Sequence, residues 1–155
     1  MRLTTREDIE APIDHVFQSL TDFEGFERQA LRRGAEVQRQ DTYGKPGVGS
    51  EWDMRFSFRG KARKVHARMT AFDAPNGFLA ETDSGGIDGT VSLELVALSP
   101  RRTRMQFAID LTPRTLSARL LIQSLKFAKG KISKRFANRI WQLAQEVEQK
   151  YTGVA

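Results

Sequence analysis

The segment EWDMRFSF, residues 51–58, decides the fold, because every second residue in it is apolar. Trp52, Met54, Phe56 and Phe58 alternate with charged or hydroxyl side chains. Successive side chains of a β-strand point to opposite faces, so this alternation predicts a strand with one buried and one solvated face. Strands of this kind are typical of antiparallel sheets.

The same two-residue alternation recurs downstream, in runs that begin near Val65, Val91 and Met105. Short stretches with turn-forming residues separate the runs, at residues 44–47, 59–61, 74–77, 84–86 and 99–102. Glycine, proline and serine favour turns at such positions. The spacing predicts six strands between residues 35 and 112, and residues 3–9 supply a seventh at the start of the chain.

Helical spacing replaces the alternation at three places. Pro12 opens a first helix, and Thr21-Asp22 supplies capping residues for a second short one that Gly34 ends. From about residue 113 to residue 151 we expect one long helix, with a single apolar stripe. The stripe consists of Ile122, Leu125, Ile132, Phe136, Ile140, Leu143 and Val147.

These elements predict a single α+β domain over residues 1–155. Its seven-stranded curved antiparallel sheet is wrapped around the long C-terminal helix, and two short helices follow strand 1. A curved sheet must cover its apolar face, and only the last helix is long enough to do so. We expect an apolar cavity between that helix and the sheet.

Several local motifs, in this order along the chain, support a family resemblance: residues 9–12 (IEAP), 20–23 (LTDF), 47–52 (GVGSEW) and 73–75 (DAP). With the closing helix, they resemble the START/Bet v1-like superfamily, also called SRPBCC, and within it the bacterial polyketide cyclase/dehydrase and lipid-transport branch. The resemblance spans essentially the whole chain. It implies a helix-grip fold with a cavity for lipids, polyketides, quinones or similar molecules. Catalytic groups differ between the branches, so the resemblance assigns none here.

Composition excludes several kinds of chemistry. The chain has no cysteine, so it has no disulfides, thiolate nucleophiles or cysteine metal sites. Its two histidines, His15 and His66, fall far apart in the predicted fold, and we expect both on the surface with no metal or cofactor between them. No run of about 20 apolar residues could span a membrane, and the first residues lack the apolar run of a signal peptide. We therefore expect a cytoplasmic protein.

The acidic residues show no catalytic arrangement. Glu51, Asp53, Glu94 and Asp110 occupy the solvated positions of alternating strands, whereas acid–base chemistry needs carboxylates in a dry site. No Ser–His–acid set can be assembled from positions that share a predicted face. We predict no catalytic residue.

The apolar face of the sheet and the inward stripe of the helix supply the predicted ligand-binding residues. Large aromatic and thioether side chains serve an ordinary core equally well, and the curved architecture is what favours a cavity. The predicted set is Trp52, Met54, Phe56, Met69, Leu93, Phe107, Ile109, Leu125, Lys129 and Phe136. Lys129 is included because its helical position places it beside the inward stripe, where it could meet the polar end of a ligand.

The long helix is strongly basic, since no acidic residue lies between Leu111 and Gln145. Phe127 and Trp141 lie near Lys131 and Lys134, a composition typical of a helix that rests on an anionic membrane. Packing against the short helices or a second subunit explains the same pattern, so a monomer and a homodimer both remain open.

Three functions are compatible with the sequence. The first is binding or transport of a small hydrophobic ligand in the cavity. The second is a polyketide cyclase- or dehydratase-like enzyme, which would need polar groups among the inward residues. The third is a protein that docks through its basic helix on a membrane, a ribosome or RNA. No RNA-binding aromatic motif is visible, so nucleic acid is the least favoured partner.

Overall fold

A computed structural model describes residues 1–152 of the chain. The elements are β1 (Arg2–Ile9), α1 (Ile13–Leu20), α2 (Phe23–Arg32), β2 (Glu36–Gln40), β3 (Glu51–Phe58), β4 (Lys61–Asp73), β5 (Gly77–Ser84), β6 (Ile87–Ser99), β7 (Arg102–Pro113), α3 (Leu116–Phe127) and α4 (Lys129–Thr152).

All seven strands belong to one antiparallel sheet, as predicted. Their order across the sheet is β1-β7-β6-β5-β4-β3-β2, so strands β2 to β7 form a meander and β1 pairs with the far side of β7. The register places Trp52 opposite Ala67 and Met54 opposite Val65. Cross-strand partners share a face of the sheet, so the apolar positions of adjacent strands form one continuous concave surface.

The two short helices begin where the sequence predicted. Pro12 precedes α1 in an extended conformation, and the Asp22 carboxylate accepts a hydrogen bond of 3.2 Å from the Gly25 amide at the start of α2. Such a cap satisfies one of the free amide groups that every helix N-terminus carries. α1 packs against α4, β6 and β7, and α2 packs against β2.

The predicted single C-terminal helix is wrong in one respect, because the chain forms two helices with a break at Ala128. The amide of Ala128 donates to the Leu125 carbonyl, a tightened last turn that ends α3. Gly130 follows at once, and glycine in a helix costs about 1 kcal/mol relative to alanine, so the segment resists a continuous helix. The break starts α4 at Lys129, which is exposed to solvent.

The two helices cover different parts of the sheet. α4 packs against β1 and α1 and buries Ile140, Ala144 and Val147 there. These side chains join a core with Val16, Leu93 and the other buried residues of α1, β6 and β7. α3 lies against β7 instead. Over residues 1–152, no helix is long and apolar enough to cross a membrane.

Candidate ligand cavity

A cavity of about 860 Å³ lies between α3 and the concave face of the sheet. One wall is α3, with Ala118, Leu121 and Leu125, and the other is the paired ends of β3 and β4, with parts of β5, β6 and β7. Its sheet and turn residues are Phe56, Phe58, Lys61, Ala62, Arg63, Lys64, Val65, Thr82, Ser84, Gly85, Ile87 and Leu111. Ser117 of α3 completes the lining. Most of this surface is carbon.

Two of the predicted ligand-binding residues, Phe56 and Leu125, line this cavity. They approach it from opposite walls, since Phe56 belongs to β3 and Leu125 to α3. Phe56 keeps 38% of its surface exposed, a high value for a phenylalanine on the concave face of a sheet. An apolar side chain that is exposed to solvent because it faces an open cavity is typical of a ligand-binding site.

Trp52 and Met69 lie deeper, in a packed cluster with Ala67 and Ala80. The Trp52 ring packs edge-on against Phe23 with ring centres 5.1 Å apart, and its indole N–H donates to the Glu27 carboxylate at 2.9 Å. Met54 is half-buried at the margin of this cluster. Trp52, Met54 and Met69 pack against other residues of the protein, and they do not line the cavity.

The remaining predicted residues lie towards α4 or outside. Leu93 belongs to the α4 core, and the Phe107 and Phe136 rings pack together there with centres 5.9 Å apart. Ile109 is half-buried on β7, opposite Val91. The expected inward position of Lys129 is wrong, because the break at Ala128 turns this residue to solvent.

Among the lining residues that were not predicted from the sequence, Arg63 is the one with a buried, unpaired polar atom. It lies on β4 directly opposite Phe56, so its side chain shares the concave face with that ring. Its Nε atom is buried and has no hydrogen-bond partner among residues 1–152. An unpaired buried donor costs about 1–3 kcal/mol, and more when it carries charge. The signal was present in the sequence, since Arg63 is two residues before Val65 in the same alternating run.

The charged groups that line the cavity are all cationic. Lys61, Arg63 and Lys64 belong to its wall, and no aspartate, glutamate or histidine among residues 1–152 does. Both lysines are exposed, whereas Arg63 is partly buried; Lys61 lies opposite Phe58 on the concave face, and Lys64 lies opposite Arg55 on the convex face. The hydroxyls of Thr82, Ser84 and Ser117 supply the other polar side chains of the lining. The Ser84 hydroxyl already donates to the Lys64 carbonyl, at 2.6 Å.

A hydrogen bond joins the turn between β3 and β4 to α3, the elements that form opposite walls of the cavity. The turn between β3 and β4 consists of Arg59 and Gly60, which both have positive φ. The Arg59 side chain reaches α3. There its guanidinium donates to the Ser124 hydroxyl at 3.0 Å. Both groups are exposed, so water competes for this bond and it contributes little to stability.

The histidines stand apart from the cavity. His66 lies on the convex face of β4, as expected for a surface residue, with Nδ1 2.9 Å from the Asp53 carboxylate and Nε2 3.4 Å from Glu51. The hydrogen bond with Asp53, with the charges of Asp53 and Glu51, raises the pKa of His66 above its usual 6.5. His15 is not on the surface as expected: it is half-buried between α1 and α4, with Nε2 3.0 Å from the Val147 carbonyl. Residues 1–152 hold no cluster of three metal-ligating side chains.

A sheet curved around terminal helices with a cavity beneath one of them is the arrangement of helix-grip proteins. A sequence model of the family described as "Polyketide cyclase / dehydrase and lipid transport" matches residues 1–148, and the chain therefore belongs to this family. The resemblance inferred from residues 9–12 onward is confirmed. No curated protein matches the sequence significantly.

Solved structures support the fold at low sequence identity. The Zhui aromatase/cyclase from Streptomyces sp. R1128 is 13% identical, with a TM-score of 0.68, over 97% of this chain and 95% of that one. A norcoclaurine synthase point mutant from Thalictrum flavum, in complex with a transition-state analogue, is 10% identical, with a TM-score of 0.66, over 97% and 96%. The Aha1 dimer from Colwellia psychrerythraea is 15% identical, with a TM-score of 0.59, over 96% of each chain.

Proposed function

We propose that this protein binds and carries a small hydrophobic molecule, such as a lipid, a polyketide or a quinone, in the cavity beneath α3. The observation that carries the proposal is the cavity of about 860 Å³ with a mainly apolar lining. Ligand sites in proteins commonly enclose about 300–1,000 Å³ and combine apolar walls with a few polar groups. An apolar ligand that covers these walls removes their carbon surface from water, which is the main favourable contribution to such binding.

The composition of the lining favours binding over catalysis. General acid–base chemistry needs a group that gains or loses a proton near neutral pH, and the described lining contains no carboxylate or imidazole. An arginine guanidinium has no lone pair available to accept a proton in a protein, so the lining offers no base. We therefore favour a carrier over an enzyme as the function of this protein.

A cyclase- or dehydratase-like activity is the second candidate, and Arg63 is the observation that favours it. A guanidinium in a water-poor site can stabilise negative charge that develops on a carbonyl oxygen. This alternative predicts that a polyketide-like molecule leaves the cavity chemically changed. Mass spectrometry of the bound molecule before and after incubation distinguishes the two candidates, because a carrier returns the molecule unaltered.

Occupancy of the cavity can be tested with two neighbouring leucines of α3. Leu121 lines the cavity, whereas Leu120 is exposed on the outer side of the same helix. A saturating ligand at 100 times its Kd stabilises the native state by about 2.7 kcal/mol, a shift of roughly 5–10 °C for a domain of this size. Lipid extracts from the expression host are expected to raise the Tm of the wild type and of Leu120→Trp, but not that of Leu121→Trp.

Native mass spectrometry of the same proteins identifies what copurifies. The Leu121→Trp protein is first shown to be folded by circular dichroism, and Ala118→Leu is a smaller filling variant if it is not. An extract that shifts wild type and Leu121→Trp equally would contradict binding in this cavity. So would the absence of any shift in the wild type.

We also propose that the outer surface of α3 and α4 contacts anionic membranes peripherally, from the cytoplasmic side that the sequence favours. Phe127 is 93% exposed and Trp141 is 52% exposed, and Lys131 and Lys134 lie on the solvent side of α4 with Trp141. Apolar side chains that insert at the interface and lysines that meet anionic headgroups are the two parts of such a contact. Each basic residue near an anionic surface contributes about 1 kcal/mol. Binding to RNA would not account for the exposure of Phe127. Packing against a second copy of the chain would not account for the exposed lysines.

Vesicle flotation tests this contact. The protein is expected to bind vesicles that contain phosphatidylserine, to ignore vesicles of phosphatidylcholine alone, and to be released as salt rises. Phe127→Ser should weaken binding, whereas Val96→Ser, a change at another exposed apolar residue on β6, should not. Binding to RNA but not to vesicles, or a dimer in solution that Phe127→Ser dissociates, would contradict the membrane contact.

A further inference from the structure

The polar group inside the cavity constrains the class of ligand. Arg63 shares the cavity with Phe56, Val65 and Leu125, all of which are apolar. A cation in such surroundings normally has a carboxylate partner, because burial of an unpaired charge is costly. Among residues 1–152 no carboxylate forms an ion pair with Arg63, although ten ion-pair contacts occur elsewhere, mostly on the convex face and at the strand ends.

The guanidinium of Arg63 is available to a ligand. No hydrogen bond within residues 1–152 holds its Nε, so the side chain can turn towards the cavity without breaking one there. Turned in this way, Nε–H and one Nη–H present a planar fork that matches two oxygens of a carboxylate or a phosphate. Lys61, opposite Phe58 on the concave face, adds positive charge beside the opening. Field lines from like charges around an apolar opening attract an anion.

We infer that Arg63 is the binding site for the anionic head of an amphipathic ligand, whose apolar body lies between Phe56, Leu121 and Leu125. The inference rests on the proposed function, since it names the ligand class for the same cavity. The shared chemistry of the head is a pair of negatively charged oxygens, on either a carboxylate or a phosphate. Neutral molecules of the same shape occupy the same space but leave the guanidinium unpaired.

The test uses three probes with one fluorescent polyene chain: the free carboxylic acid, its methyl ester and the corresponding alkyl phosphate. Wild-type protein is expected to bind the acid or the phosphate at least about tenfold more tightly than the ester, which corresponds to about 1.4 kcal/mol. The tighter of the two anions identifies the head group. Arg63→Met should remove this preference, so that the acid, the phosphate and the ester bind with equal affinity, and Arg63→Lys should retain part of it because the charge stays while the fork is lost.

Arg68→Met is the matched control, since Arg68 lies on the same strand but is exposed on the convex face. It should keep the preference of the wild type. Equal affinity of wild-type protein for all three probes, or an anion preference that survives in Arg63→Met, would overturn the inference and leave the proposed function standing. Failure of every probe to bind would instead count against the proposed function itself.

Discussion

Arg63 occupies a position that the rest of the β4 sequence would give to an apolar side chain. Phe56 lies opposite it on β3, and Val65 and Ala67 follow it on the same face. Natural proteins accept such local conflicts mainly where function requires them, at a cost in stability. Removal of the Arg63 guanidinium should therefore raise the free energy of unfolding and lower the affinity for an anionic ligand.

Replacement of Arg63 by methionine is expected to stabilise the ligand-free protein by about 1 kcal/mol, because an unpaired buried donor disappears and an apolar chain of similar length takes its place. Urea unfolding of protein stripped of ligand measures this. Arg68→Met, on the solvated face, should stay within about 0.5 kcal/mol of the wild type. A loss of stability in Arg63→Met would show that the arginine supports the fold.

His66 gives the convex face a dependence on pH. Its pKa is raised in the folded state by the hydrogen bond with Asp53. The stabilisation is therefore fully present below the unfolded pKa of 6.5 and is lost as the pH rises through the higher folded value. The site is exposed, so we expect an effect of less than about 1 kcal/mol. An NMR titration of His66 should show the raised pKa, and Asp53→Asn should lower it; an unchanged pKa in that variant would exclude Asp53 as the cause.

At the scale of elements, the separation of α3 from α4 assigns the two helices different tasks. α4 buries Ile140, Ala144 and Val147 in the core, whereas α3 turns Ala118 and Leu121 to the cavity and leaves Leu116 and Leu120 outside. The helix that covers the cavity is thus not the helix that completes the core. The break at Ala128 makes this division possible.

Gly130 lies next to that break and offers a direct test of its energetics. A Cβ at this position would meet nothing within 4 Å, and its φ is not in the left-handed region. Gly130→Ala should stabilise the protein by about 0.5–1 kcal/mol, because alanine loses less backbone entropy in a helix. Gly77→Ala is the opposing case, since its Cβ would overlap the Leu93 carbonyl oxygen at a φ of +148°. Chemical unfolding should show opposite signs for the two; a destabilised Gly130→Ala would contradict this account.

The sequence predicted the strands well and the site only in part. Alternation in residues 51–58 identified the sheet and placed Phe56 on its concave face, because the two-residue period reports orientation directly. The same two-residue period places Arg63 on the concave face, two residues before Val65. The break at Ala128 was invisible, since Leu125, Ile132 and Phe136 keep helical spacing across it. The cavity lies beneath α3 and not α4 because of tertiary packing, which no local pattern encodes.

At the scale of the whole molecule, the interior has two unequal halves. Beneath α4 the side chains are fully packed, with Ile9, Val16 and Met105 almost without exposed surface. Beneath α3 the sheet faces a space of about 860 Å³. Regions with fewer buried contacts open locally at lower free energy than the core. The half beneath α3 is therefore expected to be the less stable half, and a ligand bound there would stabilise it.

Amide hydrogen exchange should reveal this inequality. Without ligand, amides of α3 and of the β3–β4 turn are expected to exchange faster than those of α4, β6 and β7. A bound hydrophobic ligand should slow α3 selectively, because it supplies the missing contacts. Uniform protection of both helices in the ligand-free protein would be inconsistent with this difference in packing.

The break at Ala128 also bears on how such a chain can diversify. Substitutions at the cavity-facing positions of α3 should change mainly the affinity for a molecule bound beneath it, whereas substitutions at the buried positions of α4 should change mainly the free energy of unfolding. If the proposed function holds, mutations at the cavity-facing residues of α3 should change ligand selectivity more than mutations at the buried residues of α4, which should act mainly on folding stability.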